Sequence, residues 1–315
     1  MSQSTAISWT DLSSNPLRYR DSDGNDVWAC VKKSTGCLKC YSETMALRFG
    51  KGGPFTPETM RTLTPYVREK ELKELLSPTK TPAGKKVFVG DMTDLFGEWV
   101  PFDLLDRIFA VFAMRHDVVF QVLTKRPDRM AGYLTTLMGP NGYPGQNNWL
   151  VDAPKSHCNA LSAAQSMRRE WYDDPYLPST PWPLPNVWLG TSIENQAAAD
   201  ERIPQLLKVP AAVRFLSMEP LLGAVNLSVF ANDGDGPSRG TLNWMGIESS
   251  IDWVIIGGES GAGHRSMEVA WAESLRQQCR AAGVPYFFKQ DSGAKAGMRG
   301  RVSLDLWETK EFPSA

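Results

Sequence analysis

Short β-branched and aromatic runs recur along the chain, most of them ending in Gly, Ser, Thr or a charged residue before a helical pattern begins. They are "ISWT" (7–10), "KVFVGD" (86–91), "VVFQVLTK" (118–125), "NVWLGTS" (186–192), "VRFLSMEP" (213–220), "DWVIIGGES" (252–260) and "PYFFKQ" (285–290). Runs that are almost continuously apolar imply strands covered on both faces of a sheet. Between them, "FDLLDRIFAVFAMR" sets Leu104, Leu105, Ile108, Phe109 and Phe112 on one stripe at helical spacing, and "VAWAESLRQQCRAAG" runs to Gly283, placed as a C-terminal cap. Strand then helix, repeated about seven times, predicts an α/β fold: a parallel, TIM-like (β/α) barrel, complete or partial. A doubly wound open sheet is the alternative.

The alternation breaks twice. A Pro-, Gly- and Asn-rich stretch over 139–185 follows a helix expected to end near Met138, and a polar "ANDGDGPSRG" precedes the sixth run. Both are expected to elaborate loops of one domain spanning 1–315, the first as an irregular insertion. A chain of 315 residues can bury roughly three quarters of its extended surface without staples. Lys plus Arg number 34 against 35 Asp plus Glu, so there is no global pull toward polyanions, and any such partner must meet a local patch. The first residues lack a basic start and a long apolar run, and no apolar stretch reaches the roughly 20 residues of a bilayer span. The expectation is a cytoplasmic protein with no membrane contact.

Five cysteines occur in the whole chain, yet Cys30, Cys37 and Cys40 fall in one turn-rich segment, "CVKKSTGCLKCYSE". In a reducing compartment such a cluster points to metal binding or catalysis rather than to disulfides. Gly36 allows the turn that returns Cys30 toward the close pair. The helical pattern "YSETMALRFG" then sets Cys40 near a positive helix end, and Lys32, Lys33 and Lys39 flank the sulfurs. Zinc would need a fourth ligand, drawn from His116, His157 or His264. Three thiolates on a [4Fe-4S] cluster leave one iron open for S-adenosylmethionine. Inert or redox-sensing thiols are the third reading, while Cys158 and Cys279 read as incidental.

The segments "ISWTD", "WACVKKSTGCLKCYSE", "FVGDMTDLFGEWVP", "FQVLTKRPDRM", "NVWLGTSIENQAAADERIPQLL", "VRFLSMEPLLG", "DWVIIGGESGAGHRSM" and "GVPYFFKQ" together resemble a three-Cys-motif family of phage and bacterial proteins. That family has no assigned function and is regarded as similar to radical S-adenosylmethionine enzymes. The resemblance implies a radical SAM-like barrel with Cys30, Cys37 and Cys40 as cluster ligands. It also implies S-adenosylmethionine as cofactor, a reductant as electron donor, and the host cytoplasm as location if the chain is phage-encoded. A nucleotide or nucleic acid is the first expectation for its substrate. The common radical spacing is C-x3-C-x2-C with an aromatic before the last Cys; here the first interval is six and Lys39 stands at that place.

A (β/α) barrel carries its chemistry on the loops that follow its strands. Asp91 and Asp94 follow the second run, Lys125 and Arg126 the third, Ser192 and Glu194 the fourth, Glu219 the fifth, and Gly257, Gly258 and Glu259 the sixth. Asp91, Asp94, Ser192, Glu194, Gly257, Gly258 and Glu259 are the expected cofactor-binding residues. Two glycines admit a ligand close to backbone, and Glu259 can accept from an amino group or ribose hydroxyls. Lys125, Glu219 and Glu259 are the expected catalytic side chains, with Lys125 and Arg126 as a clamp for a carboxylate or phosphate. The bland readings are helix capping by the two Asp residues, a tight turn at "GGES", and an ion pair from Lys125 or Arg126 to Glu194 or Glu219.

In the 139–185 insertion, Arg168 and Arg169 beside Trp171, Tyr172, Tyr176 and Trp182 would suit a flipped base or single strand, against a lid or packed surface loop. Two further readings of the whole are a glycosidase-like pair formed by Glu219 and Glu259, and a zinc or iron-sulfur module that docks a protein or nucleic-acid partner without catalysis.

Overall fold

The computed structural model describes residues 3–135, 155–172, 181–228, 242–244 and 247–314. Seven strands lie side by side in chain order and all parallel: β1 (Leu12–Ser14), β2 (Lys86–Val89), β3 (Val119–Thr124), β4 (Val187–Ser192), β5 (Val213–Met218), β6 (Trp253–Gly257) and β7 (Tyr286–Gln290). Gln3–Ser4 adds antiparallel to the free edge of β1. The helices used below are α1 (Tyr41–Arg48), α2 (Glu69–Leu76), α3 (Phe102–Met114), α4 (Pro127–Thr135), α5 (Lys155–Tyr172), α6 (Gln196–Leu206) and α7 (Val269–Ala282).

Alternate residues of each strand serve different cores. Val87, Val89, Phe120, Val122, Leu189, Leu216, Ile256 and Phe288 pack against the helices, where they meet Ile108, Phe109 and Phe112 of α3, Ile203 of α6 and Leu275 of α7. Phe88, Trp188, Phe215, Trp253, Ile255 and Phe287 point to the other face and gather around Trp9. The Trp9 ring lies 4.8 Å from Phe88 of β2 and 6.3 Å from Trp253 of β6. In a flat sheet those strands would stand about 19 Å apart, four intervals of ~4.8 Å. One indole touching both requires the sheet to curl into a half barrel, with the aromatic cluster filling its N-terminal end.

The curl stops short of closure: β1 and β7 do not pair, so the barrel is partial. The C-terminal segment lies along the exposed edge of β7, where Phe288 N–H donates to Thr309 O and Glu311 N–H to Tyr286 O. It then delivers Phe312 to the plug, 5.2 Å from Trp253, with Lys86 of β2 over the opposite side of that ring at 4.7 Å. Between β1 and β2 a small antiparallel sheet of Leu17–Arg20, Asp26–Val27 and Thr64–Val67 carries the cysteine segment.

Six of the seven expected strands form where the sequence places them. The first does not: residues 7–10 form a turn that buries Trp9 in the plug, and the strand is Leu12–Ser14. The insertion is not irregular throughout either. Residues 155–172 are the 18-residue helix α5, which packs Ala160, Ala164 and Met167 into the main core, while Asn159 donates to Asp106 of α3 at 3.1 Å. Trp171, at the end of α5, receives Lys73 of α2 at 4.9 Å from its ring, which favours the packed alternative for this face. Met138, Tyr176, the remainder of 139–154 and the polar stretch 231–240 lie outside the described residues. Gly283 caps α7 with φ of 65°, as expected. Among the described residues no helix is long and apolar enough to cross a membrane.

Gly190 of β4 faces the plug, and a Cβ built there would lie 2.6 Å from the Phe215 ring. Gly190→Ala should therefore cost about 1–3 kcal/mol by overpacking. In urea unfolding, Phe215→Leu in the same chain should recover part of that loss. Strict additivity of the two changes would refute the contact.

Candidate metal centre

The cysteine loop crosses the C-terminal mouth of the half barrel, held by groups that follow four different strands. Thr93, after β2, donates its hydroxyl to Ala29 O at 2.7 Å, and Tyr41 and Ser42 at the start of α1 donate to Asp91 O at 2.6 and 2.9 Å. Arg126, after β3, donates to Val31 O at 3.1 Å, and Arg265, after β6, to Thr35 O at 2.8 Å. Gly36 lies against Glu194 after β4: a Cβ at this glycine would sit 3.3 Å from the carboxylate. Lys39 reaches Gly263 O. Locally, Thr35–Cys37 forms a single 3-10 turn and Cys40 is the N-cap of α1, so its sulfur sits at the positive end of that helix.

Burial pushes the Cys30 thiol well above its usual range, the charge of Asp94 adds to this, and Cys40 and Cys37 add further, while Arg126 opposes. Cys30, Cys37 and Cys40 are each half-buried and free of disulfides. Lys33 N–H donates to the Cys37 sulfur at 3.4 Å, the kind of bond that cluster thiolates accept. The flanking lysines do not serve the sulfurs as the sequence suggests: Lys32 pairs with Glu43 at 2.7 Å, Lys33 with Glu201 at 3.6 Å, and Lys39 is on Gly263. Arg126 is the cation that opposes the rise at Cys30.

The donor set has the chemistry a three-thiolate cluster requires, but its side chains do not converge. Among the described residues no three His, Cys, Asp or Glu side chains are placed to hold one metal ion as they stand. Of the histidines considered as a fourth zinc ligand, His264 hydrogen-bonds Gly261 O at 3.1 Å, His116 follows α3 on the chain entering β3, away from the mouth, and the His157 side chain lies outside the described residues.

The expected cofactor-binding and catalytic residues are gathered at the mouth, though most are engaged with one another. Asp94 accepts from Thr124 Oγ1 at 2.6 Å, from the Lys125 N–H at 3.2 Å and from Arg126 at 3.1 Å, and also from Phe96 N–H. It ties the β2 and β3 loops together and caps no helix. Asp91 accepts from Asn15 and Tyr41, and its burial raises its pKa above the ordinary carboxylate value against those bonds. Glu194 is 2% exposed and meets Arg202 at 3.0 Å; that arginine also donates to Ser192 O. Glu219 pairs with Lys289 of β7 at 2.7 Å and accepts from Gln290. Lys125 has no ion-pair partner among the described residues; the pair from this segment is Arg126 with Asp94 and with Glu98 at 2.7 Å, not with Glu194 or Glu219.

Glu259 is buried and takes three donors from Arg265, its backbone N–H at 2.8 Å and the Nε and Nη2 of its guanidinium. Burial works to raise its pKa, yet the Arg265 bonds and charge, with Lys39 behind them, hold it below the usual range. The two glycines before it have packing reasons. A Cβ at Gly257 would lie 3.3 Å from the Glu219 carboxyl carbon, and one at Gly258 would lie 2.2 Å from Ser292 N.

Lys289, a strand-end candidate from the sequence, is joined at this mouth by Arg202, Arg265 and Asn15, which were not among the residues singled out as functional from the sequence. Two of them had a local signal: Arg202 lies eight residues after Glu194, within α6, and Arg265 six after Glu259, in the loop leading from β6 to α7. Lys289 meets Glu219 across 70 residues of chain, and only the fold joins them.

Fold and site together define an α/β protein whose parallel half barrel carries a three-thiol loop across its mouth. The chain belongs to DUF5131, a family of proteins of unknown function that matches it over residues 4–304. No curated protein and no solved structure matches it.

Replacing Arg265 by Gln should test the mouth. In the parent, the Glu259 carboxylate has a lowered folded pKa, so its stabilisation is present above the unfolded value of about 4.3 and is lost as pH falls through the folded one. Without the guanidinium, burial dominates and the folded pKa rises above the unfolded one. The variant should lose about 2 kcal/mol at pH 7, less than a fully buried pair because Arg265 is partly exposed. That loss should shrink as pH drops below about 4.5; parallel urea-midpoint curves for the two proteins would show that Glu259 is not governed by Arg265.

Proposed function

We propose that the protein is an iron-sulfur enzyme of the radical S-adenosylmethionine type, with Cys30, Cys37 and Cys40 holding a [4Fe-4S] cluster that leaves one iron open. The observation that carries this reading is a loop bearing three free cysteines, pinned across the C-terminal mouth of a parallel half barrel by groups after four strands. The motif resemblance to the three-Cys-motif family supports it. When bound, the cluster and S-adenosylmethionine supply reductive cleavage of a carbon-sulfur bond, one electron from an external reductant yielding methionine and a 5'-deoxyadenosyl radical that abstracts hydrogen from substrate.

The chain's own residues bind and orient. Asp91, half-buried, and Asp94, buried, border the loop at the end of β2 and suit a ligand's amino group. Lys125 offers an ammonium free of ion pairs among the described residues for a carboxylate or phosphate. Lys289 and Glu219 form an ion pair between β7 and the end of β5, and a polar substrate can separate them because each is partly exposed, at 17% and 18%. Glu259 is locked by Arg265 and acts as an anchor of the loop. The substrate class in this reading is a nucleotide or nucleic acid.

A second reading is a zinc or iron-sulfur module that docks a protein or nucleic-acid partner without catalysis. What favours it is the exposed apolar row beside the thiols: Leu38 at 62%, Tyr41 at 52% and Phe49 at 54%.

Protein purified without oxygen should be brown, and after reduction should convert S-adenosylmethionine to 5'-deoxyadenosine. Alanine at Cys30, Cys37 or Cys40 should abolish the colour, and Cys279→Ala, a buried core position, should keep it. A fully loaded cluster that yields no deoxyadenosine sinks the radical reading, and stoichiometric zinc in place of iron establishes the second.

A further inference from the structure

A cavity of about 280 Å³ opens beside β1, behind the cysteine loop, and hydrogen-bond donors dominate its lining. Arg18, Arg68 and Lys70 bring three positive charges to it, and Glu71 brings one negative charge. Glu71 is 2% exposed and already saturated. One of its oxygens takes Arg18 at 2.7 Å and Arg68 at 3.3 Å; the other takes Asn15 N–H at 2.8 Å and the Ser14 hydroxyl.

Several donors are left over. Arg18 is 8% exposed; its Nε donates to Asn15 O at 3.0 Å and its Nη2 to Glu71, while its Nη1 has no hydrogen-bond partner among the described residues. The guanidinium is held in place by the Trp28 ring, 4.8 Å away. Trp28 lines the same cavity, and its Nε1 is buried without a partner. Arg68 spends only Nη1, shared between Glu71 and Asp26 at 3.7 Å. Lys70 is exposed and makes no ion pair among the described residues. Arg68 is also the N-cap of α2, so the first amides of that helix add partial positive charge.

The buried Trp28 Nε1 lacks a partner, Arg18 keeps an N–H unused, and a cluster of cations beside a helix start is destabilised by mutual repulsion and by the dipole. An acceptor-rich anion relieves all of these at once. The donors come from the segment after β1, from Trp28 and from the start of α2, and guanidiniums beside a lysine and a helix start are groups that bind phosphate. The volume leaves room for more than the phosphate itself.

We propose that this cavity binds the phosphate of a nucleotide, free or within a single strand. It is linked to the cysteine loop through Asn15, which lines the cavity and donates to Asp91, the acceptor for Tyr41 and Ser42 beside Cys40. The assignment does not rest on a cluster or on catalysis, so it stands or falls separately from the function proposed above.

The test is calorimetric titration of the full chain in phosphate-free buffer with sodium phosphate, adenosine monophosphate and a short thymidine single strand. All three should bind, the nucleotide more tightly than phosphate alone. A strand that binds more tightly still, and weakens steeply with salt, would identify the polynucleotide backbone as the source of the phosphate. Lys70→Glu, at an exposed position, and Arg68→Ala should each weaken binding about tenfold, as loss of one charge-assisted bond does, with the thermal melt of Lys70→Glu unchanged. The proposal is overturned if none of the three probes binds at millimolar concentration, if phosphate binds and the nucleotide does not, or if Lys70→Glu binds as the parent does.

Discussion

In a parallel sheet wound with one hand, every connection returns over the same face, and the other face has to be filled by its own side chains. Here that requirement is met by an aromatic plug at the N-terminal end of the strands: Phe88, Trp188, Phe215, Trp253 and Phe287, closed by Trp9 from before the first strand and Phe312 from beyond the last. The plug sets the curvature, because rings from β2, β5 and β6 share one indole. It also divides the interior. With bulk at one end and glycine at positions such as Gly190 and Gly257, polar groups are confined to the other end, where the loops are.

The mouth is then a half-buried place for charge, and carboxylates there need partners to offset desolvation. Asp94, Glu194 and Glu259 each meet an arginine, and Glu219 meets Lys289. Two of these arginines reach further. Arg126 sets one side of its fork on Asp94 and Glu98 and another amino group on Val31 O; Arg265 does the same between Glu259 and Thr35 O. Carboxylates on the strand ends thus hold guanidiniums that hold the backbone of the cysteine loop. Their service is positional, and at Glu259 the guanidinium also holds the carboxyl below its usual range.

Strands were legible in the sequence because each is apolar on both faces and ends in a turn residue, which is what a sheet covered by helices outside and a plug inside demands. The first strand was not, since Ser13 and Ser14 are polar and Trp9, buried just before it, mimics the strand it precedes. Helix α5 was hidden by its small residues, Ala160 and Ala164, which lie close against α3 and give little apolar signal. The mouth was legible as a set of positions but not as a set of pairs. Proximity in sequence hinted at Arg202 and Arg265, whereas the lysines beside the thiols misled, because a long side chain on a loop takes whatever acceptor the fold presents.

That mode of attachment bears on what a metal would have to do. In small zinc folds the ligands are gathered by the metal, and removing it unfolds the chain. This loop is held by hydrogen bonds from Thr93, Arg126, Arg265, Tyr41 and Ser42 and by Gly36 packed on Glu194, none of which involves a sulfur. The freedom left to the thiols is side-chain rotation, an ordering cost of roughly 1 kcal/mol each or less. Loss of a ligand and loss of the fold are therefore separable here, and a cysteine variant that stays folded reports on the sulfur alone.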